Sequence, residues 1–96
     1  MNLEPPEFHW DAADRGHLAL HNVTLEEAEQ AILDPDAVLL EIQTGGEEER
    51  TKALGITTAG RILNVVFTFR GDAIRPITAY TATRRLQDLY LNRRKP

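Results

Sequence analysis

Gly60-Arg61-Ile62-Leu63-Asn64-Val65-Val66-Phe67-Thr68-Phe69-Arg70-Gly71-Asp72 is the stretch on which the fold of this chain turns. Between two glycine-marked turns, Leu63, Val65, Phe67 and Phe69 recur at a period of two, which places them on one face of a strand and predicts that this face meets a core. Their alternates, Ile62, Asn64, Val66, Thr68 and Arg70, point the other way and mix polar with apolar groups, so the second face is expected to be partly open. Upstream, Arg50 to Thr57 reads as a strand joined to this one through Thr58-Ala59-Gly60. Before it, Ala37 to Thr44 is a further strand, followed by Gly45-Gly46 and the acidic turn Glu47-Glu48-Glu49. Downstream, Gly71-Asp72 turns the chain into Ala73–Tyr80, in which Pro76 marks a bulge or an unpaired edge position.

Helical signals flank this meander. Asp11 is placed to cap a helix over Ala12 to about His21, with Asn22 as its stop. Thr24 and Glu27 form a T-x-x-E capping box, and Leu25, Ala28, Ala31 and Ile32 make an apolar stripe that ends before Asp34-Pro35. Thr81 or Thr83 can cap a last helix carrying Ala82, Leu86, Leu89 and Tyr90 at helical spacing. Phe8 and Trp10, at period two, predict a short first strand with His9 exposed, after an extended lead-in over residues 1–7; residues 92–96 read as a flexible basic tail. The expectation is an α+β fold: an antiparallel sheet of four to five strands with helices packed on one face, in the order β-α-α-β-β-β-β-α.

With 96 residues, 42% of them hydrophobic and 27% charged, the chain is expected to fold as one domain over residues 1–96. It has no cysteine, which rules out disulfides, thiolate zinc sites and a cysteine nucleophile. Neither a signal peptide nor an apolar membrane span is read, and a cytoplasmic location is expected. The net charge of −4 conceals a division: residues 1–60 hold 3 basic and 13 acidic side chains, residues 61–96 hold 8 and 2. If the fold gathers Arg61, Arg70, Arg75, Arg84 and Arg85, a phosphate backbone or an acidic protein can bind there despite the overall sign.

Asp14, His17 and His21 share helical spacing that metal ligands use, but no glutamate completes H-E-x-x-H, and ordinary surface or packing imidazoles are the favoured reading. Walker, dinucleotide-binding and G-x-S-x-G signatures are absent. What remains is the arginine set, with Lys52, Thr68, Thr78, Tyr80 and Thr83. Guanidinium forks bind phosphate bidentately and stabilise charge that develops during RNA cleavage, while a tyrosine or histidine can move a proton or stack on a base.

The order of short motifs adds a family resemblance. Phe8-His9-Trp10-Asp11 is similar to the F-x-W-D opening of the BrnT family of type II toxins. His21 sits where that family has K-H-G, and Thr24-Leu25-Glu26-Glu27-Ala28 resembles V-[ST]-F-E-E-A. Asp34-Pro35 matches D-P, and Glu49-Arg50 through Gly55 resembles E-x-R…G. Gly60 through Thr68 is similar to G-R-x-L-x-V-V-[FY]-T, and Ile74-Arg75 with Ala82-Thr83-Arg84-Arg85 to I-R-I-I-S-A-R-x-A-T-R-R-E. The resemblance implies a RelE-like fold and a metal-independent bacterial ribonuclease, without cofactor, that inhibits translation by cutting RNA. It also implies a DNA-binding antitoxin as partner, so that DNA is met only through that partner. Carried onto this chain, His21, Arg50, Arg61 and Arg75 are retained, with Arg84 and Arg85 as basic groups at a helix start; with Tyr80, Lys52 and Arg70 added from the residues themselves, the expected catalytic set is His21, Arg50, Arg61, Arg75 and Tyr80, and the expected RNA-binding set is Lys52, Arg70, Arg84 and Arg85. Leu20 stands where the family pattern has Lys, Tyr80 where it has Arg and Leu86 where it has Glu. Those three departures motivate an alternative, a catalytically degenerate module of the same fold that binds a protein partner.

Overall fold

The strand at Gly60–Asp72 is the middle of the molecule. In the computed structural model, which describes residues 6–94, the elements follow in the order α1 (Ala12–Leu20), α2 (Leu25–Ile32), β1 (Val38–Gln43), β2 (Arg50–Ile56), β3 (Ile62–Arg70), β4 (Ala73–Thr81) and α3 (Arg84–Arg94). The strands form one antiparallel sheet in the order β1-β2-β3-β4, so the α+β class and the four-stranded meander stand as read. Gly60 and Gly71 both take positive φ (88° and 59°), the conformation that lets each connection turn tightly. The ladder β3–β4 shifts register between Val66 and Phe67, where Phe67 faces Pro76, so the proline does sit at a bulge.

Leu63, Val65 and Phe67 pack with Leu18 of α1, Ala28 and Ala31 of α2, Ala53, Ile74 and Ala79. Here α2 rides directly on β2: a Cβ added at Gly55 would lie 1.9 Å from the Ala31 carbonyl oxygen. The capping box at the start of α2 is complete, Thr24 Oγ1 accepting from the Glu27 N–H and Glu27 Oε1 accepting from the Thr24 N–H, both at 3.0 Å. Asn22 ends α1 in the left-handed region at φ 56°, and the Leu18 carbonyl accepts from both His21 and Val23.

Four expectations need correcting. Phe8 is not in a strand but makes an isolated parallel bridge to Ile74, held by His9 N–H to the Ile74 carbonyl and Ile74 N–H to the Glu7 carbonyl, both 2.8 Å. The chain has no room to extend further, because α1 begins at Ala12 and the Trp10 indole is already directed to Glu29 of α2 (2.9 Å). Helices cover both faces of the sheet. Leu54, adjacent to Ala53 and so on the opposite face, packs with Ile62, Ala82 and Tyr90, and with Leu86 of α3. The second face is accordingly less open than its polarity implied, since Ile62, Asn64, Val66 and Thr68 are all buried, whereas Phe69 on the first face is 61% exposed against the edge of Phe67. Finally, α3 continues through Arg94, so residues 92–94 of the expected tail are helical; Lys95 and Pro96, like Met1–Pro5 of the lead-in, lie outside the described residues.

Candidate active site

Register decides which of the basic and aromatic candidates can meet. Arg50, Lys52 and Leu54 alternate along β2; opposite them on β3 stand Val66 across from Lys52 and Asn64 across from Leu54, and β4 adds Thr78 and Tyr80 to those two rows. Lys52, Thr78, Asn64 and Tyr80 therefore share the face that α3 covers at its far end. Asn64 is buried between Leu54 and Tyr80, and its Oδ1 has no hydrogen-bond partner among the described residues.

At the β4 edge of this face the turn after α1 brings His21 to Tyr80, ring centroids 5.6 Å apart and planes inclined by 51°. His21 is exposed and Tyr80 half-buried, and among the described residues nothing hydrogen-bonds the Tyr80 hydroxyl. Beside them Arg61 reaches three groups. Its Nη1 donates to the Asn22 carbonyl (2.9 Å) and to Glu27 (3.2 Å to Oε2), and its Nη2 to Thr81 Oγ1 (2.8 Å). Arg84 and Arg85, at the start of α3, are exposed; Arg84 lies 3.6 Å from Asp88.

Arg75 is elsewhere. It sits opposite Thr68, five residues before Tyr80 and so on the order of 15 Å away along the strand. Its Nη1 donates to Glu48 (2.8 Å) and its Nη2 to Asp11 (2.9 Å), while Thr68 Oγ1 donates to the Glu49 carbonyl (2.6 Å). The acidic turn is thus folded onto β3 and β4 by this cross-strand pair. Arg50 and Arg70 are exposed at the same end. The structure brings His21, Arg61, Tyr80 and the first residues of α3 into one neighbourhood, and leaves Arg50, Arg70 and Arg75 in another, with Lys52 between, 3.7 Å from Glu41. Of the acidic turn, Glu48 takes Arg75, while Arg61 pairs with Glu27 of α2.

Residues with no evident chemistry in the sequence turn out to build this geometry. Asn22 and Thr81 hold Arg61, and Asp11 holds Arg75; the sequence offers all three as helix-terminus residues, Asp11 and Thr81 as caps and Asn22 as a stop. Of the metal reading, Asp14 and His17 have side chains outside the described residues, and among the described residues no group of three histidine or acidic side chains could hold a metal ion.

Glu27 titrates below the ordinary glutamate range. The Thr24 backbone N–H contributes most to this, burial opposes it, and the Arg61 guanidinium adds to the lowering. A depressed folded-state value means that the stabilisation is present above the unfolded-state value and is lost as the pH falls through the folded one. Glu27→Gln is therefore expected to lower the denaturation midpoint at pH 7 and to differ less and less from wild type toward pH 3. A gap independent of pH would show that the carboxylate charge is not what stabilises the cap.

Comparison with known proteins gives one match over most of the chain: residues 10–85 fit the family described as ribonuclease toxin, BrnT, of type II toxin-antitoxin system. No curated protein matches. The matched span runs from Trp10 through both helices that cover the first face, the whole sheet and Arg85 at the start of α3, and so contains His21, Arg61 and Tyr80 together with the elements that position them. The chain therefore belongs to the BrnT family of ribonuclease toxins of type II toxin-antitoxin systems.

Proposed function

We propose that this chain is a metal-independent ribonuclease of RelE-like architecture that arrests translation in the bacterial cytoplasm by cleaving RNA, and that a DNA-binding antitoxin neutralises it. The contact between His21 and Tyr80 is the observation that supports this reading most: a proton-transfer group and a phenolic donor lie together, with Arg84 and Arg85 four and five residues further on. In a metal-independent cleavage the ribose 2′-hydroxyl attacks the adjacent phosphorus, its proton passes to a base, and the 5′-oxygen leaves with a proton from an acid. His21 serves as the group that moves a proton, and the Tyr80 hydroxyl donates to a non-bridging oxygen whose charge grows as phosphorus becomes five-coordinate. Lys52, Arg84 and Arg85 hold the RNA backbone near the reacting phosphate; Arg50 and Arg70 extend that track. Arg75 joins it by exchanging Glu48 for a phosphate.

The test is inducible expression in bacteria together with cleavage of total RNA by purified protein. Wild type should arrest growth and cut RNA, Tyr80→Phe should lower turnover by about 10- to 100-fold, the loss of roughly 1–3 kcal/mol of transition-state stabilisation, and Arg93→Ala should leave it unchanged. Equal cleavage by wild type and Tyr80→Phe would remove Tyr80 from the site.

A binding module that has lost catalysis is the second reading, favoured by Leu20, which is 82% exposed immediately before His21, and by Arg75, whose guanidinium is shared between two carboxylates. An inert, folded wild type that still binds a protein partner would select it.

A further inference from the structure

Arg61 is built into the protein more tightly than a phosphate-binding arginine needs to be. Its backbone is fixed on both sides by Thr57: the Arg61 N–H donates to Thr57 Oγ1 (3.1 Å) and the Thr57 N–H to the Arg61 carbonyl (2.9 Å) across the Gly60 turn. Its guanidinium donates through Nε and Nη2 to Thr81 Oγ1 (3.2 and 2.8 Å) and through Nη1 to the Asn22 carbonyl and Glu27. These contacts engage four of the five N–H bonds of the side chain. Asn22 and Thr81 are the residues that directly follow His21 and Tyr80. Asn22 also sits at positive φ, which sets where its carbonyl points.

From this geometry we infer that Arg61 is a positioning residue, which ties the turn after α1 to the end of β4 and thereby holds the His21 ring against Tyr80. One guanidinium joins two elements separated by the whole sheet in sequence, and no other side chain among the described residues bonds both Asn22 and Thr81. Without the clamp, His21 sits on a two-residue turn, and among the described residues its exposed side chain has only the Tyr80 ring to keep it in place. The catalytic consequence rests on the ribonuclease reading; the ring geometry does not.

The chain has three histidines, so the imidazole signals of the labelled full-length protein are few enough to assign by NMR. Tyr80→Leu defines the position of the His21 ring protons without a stacked neighbour. Arg61→Gln, and independently Thr81→Val, should move the His21 signals most of the way to that position, with Arg61→Lys intermediate, while amide signals of Ala53, Val65 and Ala79 in the core stay in place. In the same variants kcat for RNA cleavage should fall tenfold or more with KM within about twofold, since misplaced groups cost turnover before they cost binding. His21 signals at their wild-type position in folded Arg61→Gln or Thr81→Val would overturn the inference. Inert wild type with the predicted His21 shifts would overturn the ribonuclease reading and leave the clamp standing.

Discussion

Gly55→Ala should lower the stability by about 3 kcal/mol or more, at the upper end of what overpacking a core costs, and bring the thermal midpoint down by about 10–25 °C. The reason is the approach of α2 to β2. The added Cβ would lie 1.9, 2.6 and 2.9 Å from the carbonyl oxygen, carbonyl carbon and Cα of Ala31, all backbone atoms that cannot step aside as a side chain would. Relief requires lifting α2, and Ala28 and Ala31 with it, off Leu63 and Val65. Gly16 provides the control. A Cβ there meets nothing within 4 Å, and alanine in the middle of α1 should stabilise by about 0.5–1 kcal/mol. Thermal unfolding by circular dichroism compares the two. A Gly55→Ala protein that melts within a few degrees of wild type would mean that α2 packs at a greater distance than described.

Tyr90→Ala should cost about 3–5 kcal/mol, and Tyr90→Phe about 1.5–2, both read from denaturant midpoints. Tyr90 is fully buried on the second face among Leu54, Ile62 and Ala82, and its hydroxyl donates to Asp34 Oδ2 at 2.5 Å. The same carboxylate accepts from the Ile56 N–H at 2.9 Å and, through Oδ1, from the Asp36 N–H at 2.8 Å. The ring anchors α3 to the sheet, and the hydroxyl adds a charge-assisted bond to a carboxylate that two backbone groups already satisfy. Equal losses for the two variants would assign the effect to the hydroxyl instead of the ring.

The meander was legible because β2, β3 and β4 carry their own punctuation: alternation along Leu63–Phe69, glycines at each turn, and a proline that a continuous ladder could not have accepted. The capping box was legible for the same reason, since both partners lie within four residues of each other. Placement of the last helix was not. Ala82, Leu86, Leu89 and Tyr90 announce an amphipathic helix, but nothing local says which face of the sheet receives it, and that choice is made by Leu54 and Ile62 at distant positions. Phe8 and Trp10 misled by their spacing: two aromatics at period two arise here from a single bridge and an indole turned toward Glu29.

The site was legible in its parts and hidden in its assembly. His21 stands out by family resemblance and Tyr80 by residue type, at a position where it departs from the family pattern, but their contact spans 59 positions, and the residues after them, Asn22 and Thr81, are joined by Arg61. Arg75 shows the opposite case. Charge and the family motif group it with the other arginines, and only the fold reveals that Asp11 and Glu48 close on it. Several matches to the family pattern prove to be architectural: Asp11 holds Arg75, Asp34 receives Tyr90 and Ile56, and Gly55 admits α2.

The position of β3 sets a clock on biosynthesis. It is the strand through which β2 and β4 are joined, yet it starts at Ile62, so the first 60 residues leave the ribosome with a net charge of −10 and without the strand that organises the sheet. Arg61 and Arg75, which neutralise Glu27, Asp11 and Glu48, also arrive only in the last third. At roughly 5–20 residues per second, the 20 residues from Arg61 to Tyr80 take on the order of 1–4 s to be added. During that interval the nascent chain has His21 but not yet the Tyr80 ring that it packs against.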